Sequence, residues 1–511
     1  MPKPSKSRQK EEPLPSNTLI IDNGAYLLKA GFSSDTANTD ADLLTNCHVI
    51  PNALARTRDR RTYIASQLEN ISDWTDAIFR RPVEKGQIVS WEAQKAVWDH
   101  TFFDEKTAAK DLFVKDAGDT TLVLTEPPNT LPSLQKNADE IIMEEWGFGA
   151  YSRVIGPSLN AYNDIHPSMG DPVSGTPPPD SGPVECLLVV DSGYSHTTIT
   201  PIYKGRPIQR AIRRLDFGGK HLTNMLKEIV STRHYDLHQD THLVNDIKER
   251  TCFVSQNFNS DLEATWKGNS SRSKKSRNPT RLPTPPETST DSTDNDAMHM
   301  DPPTNTPELP SSSSPTSLFI DYVLPDGLHI KQGFTRPHDP SQQATSTNPK
   351  KRPHSPSPTP STTHHPETFM TLSNERFTVP EILFTPSDLG LTPSTPTPLA
   401  GIPELIHQSL TTLPPAIQAT MLSNILVVGG NANIPGFVSR LKTEVRSLSH
   451  SSWNVRVAKM DDPLKATWLG GARMACSMRK NKTAFKQLVV TKEEYAEFGA
   501  GWVARKFSGL G

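Results

Sequence analysis

The chain has 511 residues, 34% of them hydrophobic, and a formal net charge of −2, so it is long enough for more than one domain and too near neutral for a general attraction to nucleic acid or membranes. Its four cysteines, Cys47, Cys186, Cys252 and Cys476, are scattered singly, which argues against a disulfide framework or a zinc site built from paired cysteines. No secretory-type apolar stretch follows Met1 and no later run is long enough to span a bilayer, so a soluble intracellular protein with no membrane contact is expected.

Residues 1–17 read as a disordered tail of mixed charge. Leu19-Ile20-Ile21-Asp22-Asn23-Gly24 is then a β-type apolar run that stops at an Asp and a Gly, and Tyr26 to Phe32 continues it as the second strand of a hairpin. Between Pro51 and Ala65 the chain is short and polar, with a basic turn, Arg56-Thr57-Arg58-Asp59-Arg60-Arg61. That turn is either plain surface charge or a contact for an acidic partner such as nucleic acid or a histone-chaperone surface. Thr121 to Thr125 reads as a strand, and Leu134, Ala138, Ile141 and Ile142 fall on one face of a helix, a face expected in the core.

Leu187-Leu188-Val189-Val190-Asp191-Ser192-Gly193, followed by Thr197 to Ile202, repeats the design of the first hairpin. Leu222, Met225, Leu226, Ile229 and Val230 make a second apolar helix face. From about Gly268 to Ser317, and again from about Pro337 to Glu367, the chain is Ser, Thr, Pro and Asp with almost no large apolar residues. Such stretches bury too little to offset the entropy of ordering, so two disordered insertions are expected. Each carries a basic cluster, Lys274 and Lys275 in one and Lys350, Lys351 and Arg352 in the other, readable as a solvated loop or as a nuclear import signal. Leu318 to Phe334 recovers a strand pattern, and Asn424 to Val428 is another strand. Strands and helices interleaved in this way predict an α/β fold with sheets covered by helices.

Two hairpins with acidic turns can face each other across a cleft, where backbone amides clasp phosphates and carboxylates hold a hydrated divalent cation. The layout resembles the superfamily of actin, sugar kinases and heat-shock ATPases. Further ordered blocks resemble actin itself: Arg214 to Thr223, Asp246 to Val254, Asn374 to Phe384, Val428 to Phe437 and Trp468-Leu469-Gly470-Gly471. The resemblance covers nearly all of Thr18 to Phe507 outside the insertions, and the chain is identified as a member of the actin family. This implies a two-lobed, duplicated ribonuclease-H-like α/β fold with a central nucleotide cleft. The first lobe would span 18–180, completed by 465–511, and the second 184–464, interrupted by insertions at about 268–317 and 337–367.

Three short strings, Asp22 to Tyr26, Asp191 to Ser195 and Asp321 to Asp326, resemble the actin-related branch that serves in nuclear SWR-type remodelling complexes, which replace a core nucleosomal histone by its variant. The resemblance implies a nuclear and cytoplasmic protein whose partners are other remodeller subunits and, through them, nucleosomes and histones. It also implies ATP or ADP with magnesium as a structural ligand. The residues that match actin's nucleotide-contacting segments are Asp22, Asn23, Gly24, Lys29, Asp191, Ser192, Gly193, Lys248, Glu249, Gly429 and Gly430, with Asp22 and Asp191 toward the magnesium ion. Without the resemblance, the Gly pair only permits a close strand-to-helix turn, and Lys248 and Glu249 are a solvated helix face.

Departures from actin bear on chemistry. Ala25 and Tyr26 stand where actin has a hydroxyl and a Gly, Tyr194 replaces an acidic residue, and Gly156-Pro157 occupies the place of the Gln that orients water. No catalytic residues are assigned and hydrolysis is not expected. The short Pro51 to Ala65 segment lacks a loop by which actin grips its neighbour, so no filament is expected. The function implied is a non-catalytic remodeller subunit acting in transcriptional regulation. The alternative is a nucleotide-binding actin-like protein with a weak ATPase or cytoskeletal role.

Overall fold

The computed structural model describes residues 14–33, 39–71, 73–74, 77–170, 182–273, 318–326, 330–339, 368–387 and 399–508. The chain forms two compact units, one of Met1–Gln256, Pro325–Gly333 and Glu375–Gly511, the other of Asn257–Leu324 and Phe334–Asn374.

The larger unit holds two sheets of like topology. In the first, the strand order is Val490–Thr491, Ala150–Ile155, Thr120–Glu126, Asn17–Asn23, Leu27–Phe32 and His48–Pro51. Asn17–Asn23 runs antiparallel to Leu27–Phe32, which sets Asp22 opposite Lys29, and parallel to Thr120–Glu126. In the second sheet Cys186–Ser192 plays the same part, antiparallel to Thr197–Tyr203 on one side and parallel to Ile425–Val428 on the other. Arg206–Pro207 and Arg213–Leu215 both pair with Thr197–Tyr203, and Val457–Lys459 closes the far edge. Parallel strands covered on both faces need continuous apolar runs rather than alternation, and Leu122, Val123 and Leu124, like Ile425 to Val428, are buried throughout. The two acidic turns thus sit at corresponding ends of two like sheets, so the duplication expected from the sequence is the architecture found.

The helix over Gly219–Arg233 buries Leu222, Leu226 and Val230, while Met225 and Ile229 are half-buried at the stripe's edge. The helix over Pro132–Glu140, which continues to Trp146 with a wider turn, departs more from expectation. Leu134, Ala138 and Ile141 are only half-buried, and the carboxylate of Asp139 is buried beside them. The reason is Arg153, whose guanidinium meets Asp139 at 2.7 Å. Along the Ala466–Lys480 helix, Trp468 is fully buried and its indole Nε1 donates to the Ile20 carbonyl at 3.1 Å, tying helix to central strand.

The tail ends earlier than the composition suggested. Asn17 opens the first strand, and the Ser16 amide donates to Asp119 at 2.9 Å. The basic turn connects two antiparallel strands, Leu54–Arg56 and Thr62–Ile64, of a small sheet that Ile78–Arg80 completes.

In the smaller unit, Ile320–Val323 pairs antiparallel with Phe334–Pro337 and with Phe369–Leu372. Asp321 is buried, accepting from Thr371 Oγ1 at 2.7 Å and paired with His338 Nδ1 at 2.9 Å. These bonds hold Pro337 and His338 in the fold, so the second insertion starts beyond Pro337. The backbone of the Phe258–Ser273 helix runs into the start of the first insertion, at about residue 268. Polar residues near a helix end cost only a few tenths of a kcal/mol each relative to good helix formers. Residues 274–317 and 340–367, with Lys274, Lys275, Lys350, Lys351 and Arg352, lie outside the described residues. Among the described residues no helix is long and apolar enough to cross a membrane.

Candidate functional site

Both acidic turns open onto one cavity of about 460 Å³ in the larger unit. Asp22, Asn23, Gly24, Lys29, Asp191, Gly193, Lys248, Glu249, Gly429 and Gly430 all line it. Residues from 22 to 430 in the chain are thereby brought to one place. Ser192 is the exception: it is fully buried, its hydroxyl is 2.9 Å from that of Thr197 and it accepts from Asn431 Nδ2 at 3.1 Å, so it braces the turn from behind.

At the floor, Lys29 Nζ lies 2.9 Å from Asp22 Oδ2, and Asp22 Oδ1 accepts from Thr125 Oγ1 at 2.8 Å. Burial works against the Lys29 ammonium, but Asp22 and then Asp191 outweigh it and its pKa is raised. Asp191 has no such close cation; burial, then the neighbouring Asp22 charge, push its pKa up to about 7, with Lys29 opposing. Behind the first turn three amide side chains interlock. Asn23 Nδ2 donates to Gln94 Oε1 at 2.9 Å, Gln94 Nε2 donates to Asn52 Oδ1 at 3.2 Å, and Asn52 Nδ2 donates to the Gly24 carbonyl at 2.9 Å.

On the flank, the Thr241–Thr251 helix carries Lys248 and Glu249. Lys248 is not on a solvated face: it is 8% exposed and its ammonium donates to Asn245 Oδ1 at 2.8 Å and Thr223 Oγ1 at 3.1 Å. Burial lowers its pKa, with Glu249 opposing. Glu249 is exposed at the rim. Gly429 has φ +91°, and a Cβ there would come within 2.4 Å of the Ser192 carbonyl oxygen. The close-turn requirement read from the sequence is therefore real at Gly429, while Gly430 borders the cavity.

The two tyrosines that replace smaller groups pack against each other in the cleft, their ring planes tilted by 37°. Their ring centroids are 4.8 Å apart, and the Arg81 guanidinium lies 4.3 Å from the Tyr26 centroid and 5.3 Å from that of Tyr194. Gly156 and Pro157 border the same cavity and bring no polar side chain to it.

A family model described as Actin matches residues 14–508. The chain belongs to the actin family. It is 48% identical to actin-like protein arp6 of Aspergillus fumigatus over 99% of this chain and 97% of that protein. It is 42% identical to actin-related protein 6 of Neurospora crassa over 99% and 98%, and 30% identical to actin-related protein 6 of Drosophila melanogaster over 94% and 97%. These relatives carry the name of the actin-related branch that the three short strings resemble.

The actin fold ordinarily binds nucleotide in such a cleft, and the residues here fit one: glycine-bearing turns with Lys29 for an anion, and Cys252, Ile434 and Leu464 as apolar walls. A magnesium ion fits on narrower terms. Among the described residues no group of three or more His, Cys, Asp and Glu could hold a metal, and both Asp22 oxygens already have partners. Asp22 and Asp191 would hold magnesium only together with phosphate oxygens and water. Sequence reasoning missed Thr125, Asn52, Gln94 and Arg81, because each is a lone polar residue whose role exists only through contacts tens of positions away, and Asn245, which bonds Lys248 and Glu249 one helical turn on but whose tie to the Tyr26 hydroxyl is long-range.

Proposed function

We propose that this protein is a non-catalytic, actin-related subunit of a nuclear, ATP-dependent chromatin-remodelling complex that exchanges a core nucleosomal histone for its variant. The observation that carries the non-catalytic part is the Tyr26–Tyr194 ring pair between the two acidic turns, with Gly156–Pro157 nearby. A hydrolytic cleft needs a carboxylate to order the cation and a side chain to orient water, and these positions supply neither. The assignment to histone exchange is supported by the branch resemblance together with the relatives' names, and it makes the folded body a rigid surface for other subunits. Residence in the nucleus, with a cytoplasmic pool, and indirect contact with nucleosomes belong to the same reading. Retention of the cleft, with Lys29, Lys248 and both carboxylates in place, supports nucleotide as a structural ligand. The short hairpin at the basic turn supports the absence of filament growth.

Density-gradient fractionation of nuclear extract, followed by affinity purification, tests the assignment. The chain should co-sediment with a large remodeller, and its depletion should lower variant-histone occupancy while the motor subunit persists. Recovery only in cytoplasmic filaments, or only as a free nuclear monomer, overturns it.

A further inference from the structure

The hairpin from Leu54 to Ile64 carries four arginines against a single aspartate, in a chain whose formal net charge is −2. Its fold puts them outside. Along Leu54–Arg56, Ala55 packs inward with Ala53, Leu68 and Ile71, so Arg56 takes the other face, opposite Thr62 on one neighbouring strand and Ile78 on the other. Arg56, Thr62 and Ile78 are all exposed, as are Arg58, Arg60 and Arg61. At the turn the Arg60 amide donates to the Thr57 carbonyl at 2.9 Å, the Thr57 amide donates to the Arg61 carbonyl at 3.0 Å, and Arg60 has φ +64°. This is the left-handed position of a bulged hairpin, where glycine fits without strain, and an arginine holds it. Asp59 does not neutralise the group, because its carboxylate accepts from Thr57 Oγ1 and pairs with Arg61 at 3.2 Å. Among the described residues no carboxylate pairs with Arg56, Arg58 or Arg60. The sheet beneath is anchored: Phe79 on the third strand stacks with Trp74 at 5.8 Å, and Trp74 stacks with the His242 ring at 3.9 Å.

We propose that this turn docks on the phosphate backbone of duplex DNA, which Arg56, Arg58 and Arg60 receive. A guanidinium stays charged and forks onto phosphate oxygens, and backbone contacts need no apolar pocket. A protein partner does need one: interfaces centre on aromatic or aliphatic anchors, and Ile78, 72% exposed, is the one large apolar side chain that the described residues of this sheet expose. Tyr63 and Phe79 are half-buried against the sheet's own core, so no exposed ring is offered on which single-stranded bases would stack. The choice of DNA as the polyanion rests on the remodeller reading, which brings nucleosomes within reach, and the inference adds a direct contact to the indirect one of that reading.

Fluorescence anisotropy of a short labelled DNA duplex, titrated with the full chain at several salt concentrations, tests this. Arg56→Gln with Arg58→Gln and Arg60→Gln should weaken binding at low salt at least about tenfold and make the slope of log K against log salt shallower by about 2.7, the share of three phosphates. All three side chains are exposed, so Tm should not move. The insertions carry basic clusters of their own, and a second variant with Gln at Lys274, Lys275, Lys350, Lys351 and Arg352 should keep the difference that the turn makes. No binding by the wild-type chain, affinity and slope unchanged by the triple substitution, or a loss produced only by the second variant overturns the proposal. Tighter binding of a duplex RNA of the same length, or displacement by an aspartate-rich peptide more readily than by unlabelled DNA, overturns the choice of DNA. Gradient fractionation keeps the two failures apart: a wild-type chain absent from any remodeller overturns that reading, whereas a triple variant that co-sediments normally yet binds DNA as wild type does overturns this one alone.

Discussion

Arg153 directs its Nη1 at both carboxyl oxygens of Asp139, at 2.7 and 2.8 Å, and the two side chains are 5% and 1% exposed. Arg153 also pairs with Glu126 at 3.4 Å, so removing Asp139 leaves the guanidinium one longer ion pair, whereas removing Arg153 leaves two largely buried carboxylates without their cation. Asp139→Ala should therefore cost about 1–3 kcal/mol in chemical denaturation and Arg153→Met about 3–5 kcal/mol. His196 supplies a second residue-level test. It bonds Ser195 Oγ through Nδ1 at 2.7 Å, and Gly86 packs so close that a Cβ there would lie 2.5 Å from the His196 ring. Burial, then Arg214, lower its pKa from 6.5 to about 4, with Asp216 opposing. Between those two values the unfolded chain binds the extra proton, so His196 subtracts stability as pH falls through the window. His196→Gln should flatten the fall of Tm between pH 6.5 and pH 4, and an unchanged slope would show that the acid sensitivity lies elsewhere.

At the scale of elements, the junction after the Ile425–Val428 strand shows how one backbone position couples two parts of the fold. The chain turns through Gly429 at φ +91° and passes against the carbonyl of Ser192, behind the second acidic turn. An added methyl group meets backbone, not a side chain that could move aside, and a positive φ strains any other residue. Gly429→Ala should lower the denaturant midpoint by the equivalent of about 1–3 kcal/mol with its slope unchanged. The elements themselves were largely legible. Both hairpins, Thr120–Glu126, Ile425–Val428 and Gly219–Arg233 lie within a residue or a few of the apolar runs and helical spacing that announced them. The Pro132–Glu140 helix was legible as a helix and misleading as a face, since periodicity records which residues are apolar and not that Arg153 waits to pair with Asp139. The edge of the second insertion shifted for a like reason: composition marks where apolar residues run out, while a strand continues as long as its backbone bonds do, here through Pro337.

For the whole molecule, the test is turnover. With tyrosines between the acidic turns and Gly156–Pro157 at the cavity wall, purified chain supplied with magnesium and ATP should release phosphate no faster than buffer. Robust release that disappears in Asp191→Ala would overturn the non-catalytic reading. The cleft residues read from the sequence do meet in one place, apart from Ser192, because short motifs carry their local geometry with them: an apolar strand ending at Asp and Gly folds into the same turn twice.

The sequence by itself determined the duplicated α/β architecture, the two acidic turns, the membership of the actin family and the replacement of small or polar groups by Tyr26, Tyr194 and Gly156, all of them properties of strings a few residues long. Only the tertiary structure decided that Tyr26 and Tyr194 pack on each other at 4.8 Å under Arg81, that Lys248 is buried and hydrogen-bonded, and that Asn23, Gln94 and Asn52 interlock. The physical reason is range. Backbone preference and hydrophobic periodicity are local and are written into neighbouring residues, whereas a cation over a ring or an amide facing an amide depends on where distant segments come to rest.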